Sequence, residues 1–187
     1  GTRAMAGLAP GARRALLGPL GRAFTPPAPD EPVALVAGGV GSAPLLLLSR
    51  QLLARGARFD FYYGGRTARD LARLPDFEAL AVASGGRLIA ATEDGSGGHH
   101  GRVTEALAVT LDADGDRPRL YACGPMPMLA ALARLAAERG LEGEAALETE
   151  MGCGFGACLG CAVPHVEGRF ALCCKDGPVF RLDEVRW

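Results

Sequence analysis

The architecture of this chain is signalled most clearly by Val33-Ala-Leu-Val-Ala-Gly-Gly-Val-Gly-Ser-Ala-Pro44. Residues 33–37 form an uninterrupted apolar run, which is typical of a strand that is buried on both faces. The glycines that follow break the strand, Ser42 is suited to cap a helix, and Pro44 is suited to its first turn. This segment therefore predicts a strand, a tight glycine turn and a helix that ends at Gly56.

The same alternation of strands and helices continues as far as residue 148. Strands are predicted at 58–63, 87–92, 120–123 and 144–148, and helices or short helical pieces at 71–74, 77–83, 101–111 and 127–139. This alternation favours an α/β fold, in which helices cover both faces of a parallel sheet. Such sheets bind ligands at the carboxyl ends of their strands. The sharpest breaks at that edge are 38–41 and 123–125, so both are candidate ligand sites.

The composition excludes several classes of function. The 187 residues are 49% hydrophobic, which is enough for a substantial core, and the net charge is -1. This balance gives no electrostatic footprint for nucleic acid or for an anionic membrane. No apolar run approaches the roughly 20 residues of a membrane helix. Residues 1–21 lack the pattern of a signal peptide, so we expect a cytoplasmic protein with reduced cysteines.

Five of the six cysteines lie between residues 153 and 174. In Met151-Gly-Cys-Gly-Phe-Gly-Ala-Cys-Leu-Gly-Cys161 they have the spacing C-x4-C-x2-C, which is that of plant-type [2Fe–2S] ferredoxins. The intervening small residues let the backbone approach a cluster closely. A fourth ligand is expected at the end of a hairpin predicted at 162–173, where neighbouring residues point to opposite faces. The candidate ligands are Cys153, Cys158, Cys161 and either Cys173 or Cys174.

Zinc, a disulfide framework and unreactive core thiols are the alternatives for these cysteines. Structural zinc usually uses two separated pairs of ligands rather than three cysteines on one glycine-rich loop. Disulfides are uncommon in a reducing compartment. The spacing therefore favours an iron–sulfur cluster over zinc, with disulfides third.

Both breaks in the predicted sheet contain residue types that suit a nucleotide. The turn Gly38-Gly39-Val40-Gly41 offers free amides at a helix N-terminus, as phosphate binding requires, but it lacks the last glycine of G-x-G-x-x-G. The turn Cys123-Gly124-Pro125 would place a thiol beside a nicotinamide, or is an ordinary strand end with a buried thiol. Arg66 would meet an adenosine phosphate or ribose, or is a surface arginine.

Four other polar residues are given structural interpretations. Asp60 lies about 20 residues after the glycines, where an acid can hold a ribose hydroxyl, but it falls in the middle of a predicted strand. His99 and His100 lie in a Gly/Ser loop with no nearby ligand partner, so we interpret them as solvated. His165 is interpreted as a structural residue of the hairpin.

Taken together, these motifs resemble the ferredoxin–NADP reductase superfamily and, more narrowly, the electron-transfer subunits of class 1B dihydroorotate dehydrogenases. The resemblance covers nearly the whole chain, and the motifs follow the family's order. Segment 17–24 is similar to the family's join between flavin and nucleotide domains. Segments 38–41 and 121–126 are similar to its two pyridine-nucleotide segments. Segment 148–153 leads into the cluster loop, and 174–180 is similar to the closing motif.

The resemblance also implies a ligand set and a function. In the family's closing motif, the cysteine before x-D-G-P-V-F is the fourth ligand, which selects Cys174 over Cys173. The implied cofactors are a [2Fe–2S] cluster, NAD and, in the complete protein, FAD. The implied function is that of an oxidoreductase subunit in pyrimidine biosynthesis. Electrons from dihydroorotate, oxidised at the FMN of a catalytic partner in a heterotetramer, would pass through the cluster and FAD to NAD+.

Family members begin with a β-barrel that carries most of the flavin contacts. Gly1 and Thr2 are similar to the end of that barrel, where a Gly-Thr pair opens a helix against the FAD phosphates. We therefore expect residues 1–29 to be the remnant of this barrel and a linker, in a truncated product that is inactive in isolation. An NAD-binding domain is expected at 30–148 and a cluster-binding module at 149–187.

Two other functions remain as alternatives, of which the first shares the same motifs. One is a related flavin and iron–sulfur subunit of a hydrogenase or of a ferredoxin–NADP reductase complex. The other is a cluster-carrying module that docks to a partner and does not turn over a nucleotide. Reduction of the cluster by NADH in the complete protein would distinguish an enzyme from a carrier.

Overall fold

The computed structural model describes residues 2–187. In chain order, its helices and strands are α1 (Thr2–Ala6), β1 (Val33–Gly38), α2 (Ser42–Ala54), β2 (Phe59–Gly65), α3 (Leu74–Ala83), β3 (Leu88–Thr92), β4 (His99–His100), α4 (Val103–Asp114), β5 (Arg119–Cys123), α5 (Met126–Arg139), β6 (Gly143–Ala146), β7 (Ala162–Pro164), β8 (Phe170–Leu172) and β9 (Val179–Arg181). Short 3-10 turns, Gly39–Gly41 and Ala68–Asp70, follow β1 and β2. Within this described part, no helix combines the length and the apolarity that crossing a membrane requires.

A seven-stranded sheet in the order β4-β3-β2-β1-β5-β6-β9 organises the chain. All neighbouring strands are parallel except β9, which is antiparallel to β6. Strands β7 and β8 form a separate antiparallel hairpin. The predicted α/β fold with a mainly parallel sheet is therefore confirmed. The strand order reverses between β1 and β5, and this reversal is where sheets of this kind form a ligand crevice.

Helices cover both faces of the sheet. On one face, α2 and α3 pack against the strands, and the rings of Phe61, Tyr63 and Phe77 contact each other. On the other face, α4 and α5 pack against the same strands. This second core continues into the cysteine-rich segment, since Cys161 and Cys173 belong to it. The sheet and the cysteine-rich segment therefore share one hydrophobic core.

Two predictions about local structure are wrong, a helical piece at 71–74 and a helix cap at Ser42. Residues 71–73 of the piece predicted at 71–74 are not helical, because Arg73 has a φ of 59° and its left-handed backbone interrupts a helix there, and Leu74 is the first residue of α3. Ser42 makes no capping hydrogen bond. It is instead the first residue of α2, and its hydroxyl lies 2.9 Å from the hydroxyl of Tyr63 in the core.

Two strands differ from the sequence prediction. His99 and His100 are not a loop but form β4, the edge strand beside β3. Gly98 makes this possible, because a Cβ there would lie 2.6 Å from the carbonyl carbon of Ala90. Strand β9 was not predicted at all, and it returns the chain to the main sheet after the hairpin.

Candidate functional site

A cavity of about 540 Å³ opens at the carboxyl edge of the sheet, at the reversal between β1 and β5. This volume lies within the usual range for small-molecule and cofactor sites. The walls are the turns that follow β1, β2 and β5, together with the N-terminal ends of α4 and α5. The predicted site residues that line it are Gly38, Gly39, Val40, Arg66 and Pro125.

The glycine turn after β1 packs directly against the turn after β5. A Cβ on Gly41 would lie 2.5 Å from the carbonyl carbon of Cys123 and 2.7 Å from the backbone nitrogen of Gly124. Gly39 has a φ of +53°, a conformation that other residues rarely adopt. Glycine is therefore required here both for close approach and for backbone conformation, and the structure brings the two predicted nucleotide turns together.

Cys123 ends β5 with its side chain in the core rather than in the cavity. The residue is 2% exposed. Burial, with a smaller contribution from the charge of Glu148, raises the pKa of its thiol to about 11. The thiol is therefore neutral at physiological pH. Gly41, Cys123 and Gly124 support the cavity wall from behind.

Charged side chains of both signs surround the cavity. Arg66 is exposed at the end of β2, and Arg102 immediately precedes α4. Asp70 is already engaged, since its carboxylate accepts a hydrogen bond of 2.9 Å from the backbone N–H of Thr67. Glu93 follows β3. The sequence interpretation missed Arg102, although it lies at the start of the helix predicted at 101–111, and a helix N-terminus is a place where an anion can bind.

Asp60 and the histidines have structural partners outside this cavity. The carboxylate of Asp60 accepts hydrogen bonds from the backbone N–H and the Nε of Arg87, at 3.1 and 3.2 Å. His165 is buried, and its Nδ1 accepts a hydrogen bond of 3.2 Å from the backbone N–H of Glu167. His99 and His100 belong to β4.

Backbone amides converge on Cys153, in the loop that follows β6. Its Sγ accepts hydrogen bonds from the backbone N–H groups of Ala157 and Cys158, at 3.2 and 3.4 Å. Donation by the Cys158 amide, followed by that of Phe155, lowers the pKa of Cys153 to about 6. The loop is therefore shaped to stabilise a thiolate, the form of cysteine that binds metals.

A second pair of thiols lies at the base of the loop. The Sγ atoms of Cys161 and Cys174 are 3.2 Å apart, and the Sγ of Cys161 also accepts a hydrogen bond of 3.4 Å from the backbone N–H of Cys174. The backbone N–H of Cys158 donates to the Sγ of Cys153. These hydrogen bonds link the four cysteines as two pairs, Cys153 with Cys158 and Cys161 with Cys174.

A structural zinc ion and a [2Fe–2S] cluster place different requirements on the four thiols. Among residues 2–187, no three His, Cys, Asp or Glu side chains converge on one position for a metal ion. A structural zinc ion requires four ligands around one point. A [2Fe–2S] cluster requires four ligands shared between two irons. The C-x4-C-x2-C spacing of Cys153, Cys158 and Cys161, rather than this pairing, favours the binuclear cluster over zinc.

Cys173 faces away from these pairs. It is fully buried, and its Sγ donates a hydrogen bond of 3.4 Å to the carbonyl oxygen of Leu147. Burial raises the pKa of its thiol. Of the two adjacent cysteines, Cys174 is therefore the one that the structure brings to Cys161. Of the two residues assigned to a flavin site, Thr2 begins α1 and Gly1 lies outside the described residues.

Comparison with known proteins agrees with both features described here, the nucleotide cavity and the cysteine-rich loop. Residues 148–186 match the iron–sulfur cluster binding domain of dihydroorotate dehydrogenase B, and residues 35–134 match the oxidoreductase NAD-binding domain. The electron transfer subunit of dihydroorotate dehydrogenase B (NAD+) from Desulforamulus reducens is 37% identical over 190 residues, which cover all of this chain and 71% of the relative. The chain belongs to this family. The corresponding subunit from Geobacillus kaustophilus is 41% identical over 191 residues, which cover 99% of this chain and 70% of the relative.

A solved structure extends this comparison to the fold. The NADH-dependent reduced ferredoxin–NADP oxidoreductase superposes on this electron-transfer subunit with a TM-score of 0.75 at 32% identity. The match covers 91% of this chain and 59% of that chain. The predicted family and oxidoreductase class are confirmed, and the two matched domains agree with the predicted iron–sulfur and NAD cofactors. Membership among electron-transfer subunits also implies a catalytic partner subunit.

Proposed function

We propose that this subunit relays electrons between a partner that oxidises dihydroorotate and NAD+. The observation that carries the proposal is the adjacency of two sites on one sheet edge. The nucleotide cavity lies beside the end of β5, and the paired cysteines follow the neighbouring strand β6. The charge of Glu148, at the start of the cysteine-rich loop, acts on Cys123 at the end of β5. The two sites therefore follow neighbouring strands at the same edge of the sheet, as one relay requires.

The nucleotide is proposed to bind in the cavity at the reversal of strand order. The turn that begins at Gly39 borders it at the start of α2, where the free amides of a helix N-terminus favour phosphate. Arg66 and Arg102 supply positive charge for the phosphates, and Pro125 and Met128 offer apolar surface for a ring. NAD+ supplies hydride chemistry when it is bound.

The cluster is proposed to be held by Cys153, Cys158, Cys161 and Cys174. The amide donors to Cys153 and to Cys161 would stabilise the charge of the ligating sulfurs. The cluster supplies single-electron transfer when it is bound. Cys173 would remain a protonated core thiol hydrogen-bonded to Leu147. We divide the chain accordingly into an N-terminal segment at 1–29, an NAD-binding domain at 30–148 and a cluster module at 149–187.

The remaining components of the relay are proposed from family membership. Relatives are named as electron transfer subunits of dihydroorotate dehydrogenase B (NAD+). We infer a partner that carries FMN, a heterotetrameric assembly in the cytoplasm, and FAD bound by the segment that includes Gly1 and Thr2. A flavin is needed between the two sites because hydride transfer moves two electrons together, whereas an iron–sulfur cluster moves one.

The cysteine-rich loop presents apolar side chains that suit a partner surface. Met151, Phe155 and Leu159 are 47%, 56% and 62% exposed. Exposed apolar groups that cluster within one loop, here residues 151–159, mark interaction sites. We propose that the catalytic dihydroorotate dehydrogenase subunit covers them, because contact there would bring its own cofactor towards the cluster.

A second candidate function is favoured by the structural comparison. The NADH-dependent reduced ferredoxin–NADP oxidoreductase shares 32% identity and the same fold. A subunit of that kind of complex would exchange electrons with a ferredoxin or a second flavoprotein instead of with dihydroorotate. The identity of the partner therefore separates the two candidates.

The test is to purify the full-length protein with its natural partner and to assay NAD+ reduction driven by dihydroorotate. We expect turnover in the complex and none with the partner alone. Phe155→Ser should weaken the complex by roughly 30-fold, because an aromatic anchor at an interface contributes about 2 kcal/mol. The matched control is Val82→Ser, which changes an exposed residue of α3 that is 63% exposed. Turnover with reduced ferredoxin but not with dihydroorotate would instead select the second candidate.

Arg66→Ala should weaken NADH binding by roughly tenfold, because a charge-assisted hydrogen bond to phosphate is lost from an exposed site. Arg69→Ala is the matched control, since Arg69 is an exposed residue of the Ala68–Asp70 turn and lies outside the cavity wall. Both variants remove one positive charge, so a difference between them reports a local contact. Titration of each variant with NADH measures the effect. Equal affinities would contradict the placement of phosphate beside Arg66.

A further inference from the structure

The segment that precedes β1 is fixed to the sheet through Thr25. Its backbone N–H and its hydroxyl donate to the two carboxylate oxygens of Glu144, at 2.8 and 2.6 Å. Its carbonyl oxygen accepts a hydrogen bond of 2.7 Å from the hydroxyl of Tyr121. Glu144 and Tyr121 are register partners on β6 and β5, so both side chains point from the same face of the sheet. All three polar groups of this linker residue are therefore bound to the sheet.

The carboxylate of Glu144 is a costly group to place there. The residue is 6% exposed, and a buried charge is expensive unless it is paired and hydrogen-bonded. Arg119 lies 3.7 Å from the carboxylate and supplies the opposite charge. Apolar residues of similar size often give equal or greater stability than a buried ion pair. What the polar arrangement adds is a single defined position for Thr25.

Aromatic contacts reinforce the same position. The ring of Phe24 meets the ring of Tyr121 edge-on, with centroids 5.6 Å apart. Burial raises the pKa of Tyr121 to about 12, so its hydroxyl remains a hydrogen-bond donor at physiological pH. The residues on either side of the Phe24–Thr25 bond are therefore both held against β5.

The other end of this segment touches the loop that contains Cys174. The backbone N–H of Arg22 donates to the carbonyl oxygen of Gly177, and Arg22 forms a parallel bridge with Pro178. A Cβ on Gly21 would lie 2.7 Å from the Cδ of Pro178. The loop at 174–178, which contains Cys174, is called the cluster-closing loop. Residues 21–25 therefore contact this loop at one end and the nucleotide-binding sheet at the other.

We propose that residues 21–25 form a latch, with Glu144 as its positioning residue, that sets the place of the preceding segment relative to the cluster-closing loop. The inference rests on the proposed function, in which that preceding segment binds the flavin. Electron transfer slows steeply with distance, so a fixed separation between the flavin and the cluster protects the rate of the relay. Glu144 acts through Thr25 and touches neither centre.

The test uses the complete flavin- and cluster-containing protein and two variants that alter opposite sides of one contact. Glu144→Gln replaces one carboxylate oxygen by an amide donor, and Thr25→Val removes the hydroxyl donor. In both, hydrogen–deuterium exchange of residues 21–25 should rise by roughly tenfold, as expected for the loss of a hydrogen bond to a charged group. The flavin-to-cluster step, measured by rapid mixing with NADH, should slow in both variants, by no more than the factor by which exchange rises, because the latched population falls.

Two further measurements and two further variants separate positioning from general destabilisation. Reduction of the flavin by NADH and the iron content should stay unchanged in both variants. Thr25→Ser retains the hydroxyl, so hydrogen–deuterium exchange at 21–25 and the flavin-to-cluster rate should both equal the wild-type values. Glu142→Gln is the matched control, because Glu142 also pairs with Arg119, at 3.4 Å, but does not bond to Thr25. It should alter neither readout.

The outcomes distinguish this inference from the function on which it rests. Faster exchange at 21–25 with a wild-type flavin-to-cluster rate would overturn the positioning role of Glu144. Unchanged exchange in both variants would overturn the latch itself. A wild-type protein in which NADH reduces the flavin but never the cluster would refute the proposed relay, and the positioning role would fall with it.

Discussion

Cys174→Ser should yield a protein without the [2Fe–2S] cluster, whereas Cys173→Ser should retain it. The Sγ of Cys174 lies 3.2 Å from that of Cys161, while the Sγ of Cys173 is bonded to the carbonyl oxygen of Leu147. A serine at 174 removes one of four thiolate ligands. A serine at 173 can still donate to Leu147, at a cost of about 1–2 kcal/mol for a buried hydroxyl in place of a thiol.

The measurement is iron and labile sulfide content after anaerobic reconstitution, together with the visible absorption of the cluster. The two variants differ by one position in the same segment and carry the same substitution, so each is the control for the other. The assignment of Cys174 would be wrong if Cys173→Ser were colourless and Cys174→Ser kept its full complement of iron. Zinc in place of iron in the wild-type protein would refute the cluster itself.

Gly41→Ala should weaken NADH binding by tenfold or more and lower the free energy of unfolding by about 1–3 kcal/mol, the usual range for overpacking. The added Cβ would lie 2.5 Å from the carbonyl carbon of Cys123 and 2.7 Å from the nitrogen of Gly124. Both atoms are backbone, so the glycine turn itself must move. That movement displaces Gly39 and Val40, which line the cavity.

Gly56→Ala provides the control for this second experiment. Gly56 lies just after the C-terminus of α2 with a φ of +73°, and a Cβ there meets nothing within 4 Å. Alanine in that conformation costs about 1 kcal/mol, so stability falls without any change near the cavity. Affinity from NADH titration and stability from denaturant unfolding are measured on both variants. If Gly41→Ala bound NADH as tightly as Gly56→Ala does, the glycine turn would not be part of the nucleotide site.

Local sequence patterns were sufficient to predict much of the fold. The apolar run of β1, its glycine turn and the following helix are contiguous, so the pattern and the structure agree there. Strand β9 escaped prediction because three residues are too few to show a period, and its partner β6 lies more than thirty residues earlier in the chain. The edge strand β4 was also missed, because its two residues are too few to show a period. It pairs with β3 because Gly98 allows close approach, and no β-favouring residue marks it in the sequence.

The candidate site also contains features that the local sequence predicts and features that it does not. The spacing of Cys153, Cys158 and Cys161 is a local property and indicates a cluster loop directly. The pairing of Cys161 with Cys174 and the inward direction of Cys123 depend on which face each residue occupies. A strand that is apolar on both faces gives no such information, so sequence alone left Cys123 open between the cavity and the core.

The hydrophobic core shared by α4, α5 and the cysteine-rich segment has a thermodynamic consequence. Elements that bury their apolar surface against one another melt together, so the iron-bearing part and the sheet should denature as one cooperative unit. Because a bound cofactor stabilises only the folded state, metallation raises the midpoint of that single transition. Bleaching of the visible spectrum and loss of helical circular dichroism should then follow one curve on heating, and the apo protein should melt at a lower temperature throughout.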